Sequence, residues 1–213
     1  MGQGEQQPGF FQRLFGTRPT VAAPVFAEGP DDYSVLPEIA ALLTNGAQRA
    51  VADMRLLADD LAAFVQTHRA WCAAMDYADF GEEQDSRQEE SLLLFAYWLT
   101  GYPATGDQTK DPVHFGAFID WKEETDDVIG LLEEANAHLG YNLNLSQVKF
   151  DYSEDTEQAL HLIDQFLRQK GLTLTSLDTQ SDCYHLFVLQ DADFEKLTEL
   201  AQQVGYRFFR NFA

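Results

Sequence analysis

Basic residues are scarce in this chain. Fourteen Lys and Arg stand against 35 Asp and Glu in 213 residues, a formal charge of −21 with a pI near 4.3. Such a surface repels phosphate, so a nucleic-acid binder, which needs a basic face, is not expected. Cysteine is scarcer still. Cys72 and Cys183 lie far apart with no C-x-x-C pair, which argues against a disulfide framework and a cysteine zinc site. No stretch reaches the roughly 18 apolar residues of a spanning helix. The N-terminus lacks the apolar run and small-residue cleavage site of a secretory signal, so a cytoplasmic location is expected. Met1-Gly2 opens like an acylation site, but Gln6 stands where Ser or Thr is required, and myristoylation is set aside.

Motifs of catalysis are missing as well. G-x-S-x-G, G-x-x-x-x-G-K-[ST] and G-x-G-x-x-G are all absent, so the hydrolase elbow, the P-loop and the dinucleotide fold lack their local signatures. His68, His114, His138, His161 and His185 form no H-E-x-x-H, no H-x-H and no i, i+4 pair. Asp151-x-Ser153-x-Asp155 begins like a calcium loop. Thr156 then occupies the sixth position, where Gly is needed, and Leu162 the twelfth, where Glu binds, so the segment reads as a helix cap. No cofactor is expected.

What is present is enough apolar material, 45% of residues against 23% charged, to bury a core. Three parts are expected: a Phe-rich segment and linker over 1–24, a mainly helical part over 25–112, and an α+β part over 113–213 that forms one compact unit with it. Residues 1–24 carry +1, leaving −22 for the rest. Within them Phe10, Phe11, Leu14 and Phe15 give a short helix an aromatic face, suited to docking on a partner or to covering the parent domain.

Helical periodicity runs through the second part. Asp31 or Asp32 is expected to cap a helix through Leu36 to Leu43, ended by Asn45-Gly46. One apolar stripe from Val51 to Cys72 predicts a single helix over 47–74, and the run Leu92 to Leu99 predicts a buried central helix. The third part reads as a strand over 114–121, a helix capped by Thr125 and closed by Gly140, then an ambiguous stretch over 141–152. A helix opened by Asp155 or Thr156 follows, with strands over 172–177 and 184–189, a helix capped by Asp191 or Asp193, and a final strand over 206–209. The expected class is α+β: a mixed or antiparallel sheet with helices packed on one face.

The strand Phe115-Gly116-Ala117-Phe118-Ile119-Asp120-Trp121-Lys122, the hairpin Leu177-Asp178-Thr179-Gln180-Ser181-Asp182-Cys183-Tyr184 and the end Leu200-Ala201 to Gly205-Tyr206 together resemble an uncharacterised bacterial domain family of unknown function. The resemblance covers about the last 100 residues and implies a domain without a mechanism.

Asp178, Ser181 and Asp182 share one turn, with Tyr184 and His185 beyond it, and Asp120 ends a strand of the same sheet. Carboxylates at Asp120, Asp178 and Asp182 are the ligand set for an alternative reading, a metal-dependent enzyme. The same residue types also serve simple turn chemistry. The leading expectation is a non-enzymatic bacterial protein that binds another protein, as an immunity, inhibitor or adaptor domain. There an acidic face meets a basic partner, with buried Trp or Tyr anchors supplying most of the affinity, and Asp120, Trp121, Asp178, Ser181, Asp182 and Tyr184 are the interaction candidates. Solubility alone is the other use of such charge. Oligomeric state is not readable.

Overall fold

The computed structural model describes residues 32–75, 87–104, 112–150, 155–210 and 212. Helix α1, Leu36–Leu43, takes Pro37 in its first turn. Asp32 does not cap it. Its carboxylate accepts from Ser34 N at 2.8 Å, and Glu38 N finds the carbonyl of Val35 at 3.0 Å. With no N–H on Pro37, few orphan donors remain for a side-chain cap. At the far end Gly46 N reaches back to Ala41 O at 2.8 Å, closing the helix as expected.

The predicted single helix over 47–74 is three: α2, Gln48–Asp59; α3, Leu61–Thr67; and α4, Arg69–Ala74. Asp60 makes the first break. It turns extended (φ −151°, ψ 90°) and its carboxylate accepts from Ala63 N at 2.9 Å, capping α3. Capping residues offer the backbone an alternative to helix, and periodicity alone does not register that competition. The second break falls at His68, whose ring stacks on Trp98 with centroids 4.1 Å apart. The apolar stripe survives both breaks, with Met54, Leu57, Phe64, Trp71 and Cys72 all buried. Helix α5, Arg87–Thr100, is buried without interruption from Ser91 to Thr100, the central position that its all-round apolar run predicts.

Strand β1, Gly116–Asp120, is tied to the end of α5 by Phe115 N donating to Leu99 O at 3.1 Å. A Cβ on Gly116 would strike the Leu186 carbonyl and the Phe187 ring, so the Gly of this aromatic-rich strand is a packing requirement. Helix α6, Thr125–Leu139, starts one residue earlier than its predicted cap allows: Glu124 is the cap position and makes no side-chain bond. Gly140, at φ +77°, closes it. Residues 141–150 form no strand, only a 3-10 turn at Leu145–Gln147. Helix α7, Thr156–Arg168, is capped by Asp155, which accepts from Gln158 N at 2.9 Å. Strands β2, Leu172–Leu177, and β3, Cys183–Gln190, form the predicted hairpin. A 3-10 turn at Asp191–Asp193 leads into α8, Phe194–Gln203, and strand β4, Phe208–Phe209. Neither Asp191 nor Asp193 caps α8; the Asp191 carboxylate accepts from Arg210 Nη1 at 3.0 Å instead.

The sheet order is β1-β3-β2-β4 and every pairing is antiparallel, so the α+β class holds. Phe118 pairs with His185 and Ile119 with Tyr184, which assigns each pair to one face. On the first face the Tyr97 ring of α5 meets His185 at 4.7 Å and Phe118 at 5.4 Å. On the other, Tyr184 donates to Glu157 of α7 at 3.0 Å, and Phe115 meets His138 of α6. Helices α6 and α7 thus share a face, while α5 from the helical half covers the opposite one. Between them β3 is buried from Cys183 to Leu189.

Two buried polar groups sustain this arrangement. Strand β4 pairs only with Ser176 and Leu177, and above it Asp164 of α7 supplies what a neighbouring strand would. Its Oδ1 accepts from Leu174 N at 2.9 Å and Thr173 Oγ1 at 3.2 Å, while Arg168 Nε donates to Oδ2 at 2.7 Å. Asp164→Ala leaves the Leu174 N–H buried and unpaired, and is expected to lower the unfolding free energy by about 2–4 kcal/mol in urea titrations. The second group, His185, is fully buried; Thr100 Oγ1 lies 3.4 Å from Nδ1 and Nε2 has no hydrogen-bond partner. Burial pushes the imidazole down to about 3, so the native chain holds it neutral where the unfolded chain, with its ordinary 6.5, binds a proton. Stability from this group is complete above about pH 6.5 and falls as pH drops towards about 3, by up to roughly 1 kcal/mol per unit. Unfolding curves of the native chain and His185→Gln at stepped pH are expected to show a shallower acid slope in the variant.

Candidate functional site

The hairpin turn between β2 and β3 shapes a groove of about 250 Å³ at one end of the sheet. Asp178, Ser181, Asp182 and Tyr184, named from the sequence, all line it, together with Arg207 and Phe209. Antiparallel pairing accounts for the convergence: β2 and β3 leave the turn side by side, and the Arg207 carbonyl before β4 accepts from Asp178 N at 2.9 Å. Asp120 is brought to the same end, because it lies opposite Cys183 in the β1–β3 register. Trp121 follows it, 46% exposed, with the Lys122 ammonium 4.3 Å from its ring centroid. Phe10, Phe11, Leu14 and Phe15 lie outside the described residues.

Turn chemistry occupies part of the Asp178, Asp120 and Ser181 side chains. Asp178 Oδ1 accepts from Gln180 N at 3.0 Å, and its other oxygen lies 3.8 Å from Arg207, a largely exposed pair. Asp120 Oδ1 accepts from Lys122 N at 2.9 Å. Ser181 Oγ meets Thr179 Oγ1 at 2.9 Å and accepts from Cys183 N at 3.4 Å. These are two-residue local bonds of the kind that fix loops. Tyr184 is buried, its hydroxyl bound to Glu157 across the sheet, so it forms the groove's base.

The metal arrangement does not form. Among the described residues no three His, Cys, Asp or Glu side chains converge as a metal site requires. His185, adjacent to the turn in sequence, is turned beneath α5 and away from solvent, where Tyr97 and Phe118 enclose it. Burial, reinforced by Asp120 and Asp182, pushes the Cys183 thiol up to about 12, so it stays a thiol near neutrality.

Glu157 and Arg207 belong to this end of the sheet and were not anticipated from the sequence. They lie on α7 and around β4, and only the sheet order brings them to the turn. A second meeting of polar groups, Asp53 with His68 at 3.4 Å, Trp98 Nε1 at 3.2 Å and Arg49 at 3.9 Å, pins α2 and the α3–α4 break to α5. It is part of the helical packing.

A family model described as Domain of unknown function (DUF6630) matches residues 36–212, well beyond the roughly 100 C-terminal residues that the sequence resemblance covers. No curated protein matches the chain. No solved structure matches it either.

Proposed function

We propose that this chain, which belongs to the family described as Domain of unknown function (DUF6630), is a non-enzymatic protein-binding domain of the bacterial cytoplasm, of the immunity, inhibitor or adaptor kind. The observation that carries the reading is Trp121, nearly half exposed beside the acidic hairpin end. Large aromatic side chains left in water at one place, with charge around them, are the composition of binding hot spots. Tyr102, 45% exposed and stacked on Phe118 of β1 at 4.2 Å, adds a second exposed aromatic against that strand.

Chemistry selects the partner. The Trp121 ring already accepts the Lys122 ammonium on one face, so it suits a partner's Arg or Lys equally well. Asp120, Asp178 and Asp182 each place a carboxylate nearby, and the overall charge of −21 steers a basic protein towards them. The segment carrying Phe10, Phe11, Leu14 and Phe15 is a second contact in this reading.

Partners captured from native lysate on the full chain test it. Trp121→Ser is expected to lose the partner while keeping the native melting temperature, since the ring is exposed. Association rates for the captured partner are expected to fall about tenfold or more as salt rises from low to several hundred millimolar. A partner that binds Trp121→Ser as tightly as the native chain, at a rate indifferent to salt, overturns the proposal.

A further inference from the structure

The opposite end of the sheet carries a different groove, of about 400 Å³, within the range of small-ligand sites. It lies where β2 begins and β3 ends, since Leu172 pairs with Gln190, and the loop after α6 overhangs it. Among the described residues its lining contains no carboxylate, in a chain with 35 of them. The polar side chains are carboxamides instead: Asn142, Asn144 and Gln147 from the overhanging loop, and Gln190 from β3. Half-buried Tyr141 supplies an aromatic surface, and buried Leu172 contributes to the floor. Lys170, the one cation among the described lining residues, holds its ammonium 4.7 Å from the Phe166 ring.

The loop is set in advance. Leu145 N donates to Glu133 Oε1 of α6 at 2.7 Å, Asn142 Nδ2 donates to Gly140 O at 3.2 Å, and Asn144 Oδ1 accepts from Ser146 N at 3.0 Å. Those bonds hold one atom of each asparagine amide and leave the other for a ligand, so binding orders little new chain. A carboxamide offers a donor and an acceptor side by side, which matches neighbouring hydroxyls.

We propose that this groove binds a neutral polyhydroxylated ligand, a sugar or short oligosaccharide, with Gln147 and the asparagine amides bonding its hydroxyls against the Tyr141 ring, whose hydroxyl is held by the Gln190 side chain. An extended peptide fits less well. Strand addition needs free main-chain donors on the outer edge of β2, and there the Leu174 N–H is already taken by Asp164.

Ligand-observed saturation-transfer NMR on the full chain tests the site, using neutral trisaccharides of glucose, galactose, mannose and N-acetylglucosamine at millimolar concentration. At least one is expected to receive saturation and to shift the side-chain amide signals of Asn142, Asn144, Gln147 and Gln190. Tyr141→Ala and Gln147→Leu, both checked for native melting temperature, are each expected to weaken binding by about tenfold or more. Trp121→Ser is expected to bind the sugar unchanged, which separates this site from the protein-binding surface at the other end. No saturation transfer to any of the four, shifts confined to other residues, or full affinity in both groove variants overturns the proposal.

Discussion

Strand β3 is buried from Cys183 to Leu189, on both of its faces, and the rest of the structure answers to that fact. A strand dry on one face needs one helical layer; a strand dry on both needs two. The second half of the chain provides α6 and α7 for the Tyr184 side, and α5 is brought in from the helical half for the His185 side. This is why α5 is apolar all round: it touches the sheet through Tyr97 and Thr100 while Trp98 faces Trp71 and Phe64 in the helical layer. A helix with one apolar stripe would satisfy only one of those neighbours.

Burial on both faces also raises the cost of every polar group at the centre. His185 fits only as neutral imidazole, and Asp164 only because three donors converge on it. The amide of Asn136, fully buried in α6, has neither partner, an imperfection that the surrounding apolar contacts offset. Apolar packing sets the fold, then, and a few saturated carboxylate bonds close the places where the sheet runs out of strands.

Legibility in the sequence followed the range of the interaction concerned. Elements whose signal is local came through: β2 in full, the Asp155 cap, the Gly140 stop, and a central α5. Errors arose where two local signals competed. Asp60 capped a new helix inside an unbroken apolar stripe, and Asp32 spent its carboxylate on Ser34 N while the helix began only after Val35. Order in the sheet was out of reach, because nothing local states that β3 sits between β1 and β2. The hairpin residues were found because the turn itself assembles Asp178, Ser181 and Asp182, whereas Glu157 and Arg207 arrive through pairings set by the whole sheet.

Turn chemistry and recognition are therefore not rival accounts of the hairpin end. Each bond of the turn commits one oxygen, as Asp120 Oδ1 does to Lys122 N and Asp178 Oδ1 to Gln180 N, and a carboxylate has two. The committed oxygen fixes where the charge stands; the charge itself stays delocalised over both and remains available to solvent or to a cation. Arg207, mostly exposed and 3.8 Å from Asp178, shows how loosely a guanidinium can be held there, at little cost to displace. In the proposed protein-binding role, a turn that fixes its carboxylates in place preorganises the contact, and the same bonds that stabilise the hairpin set where those carboxylates stand.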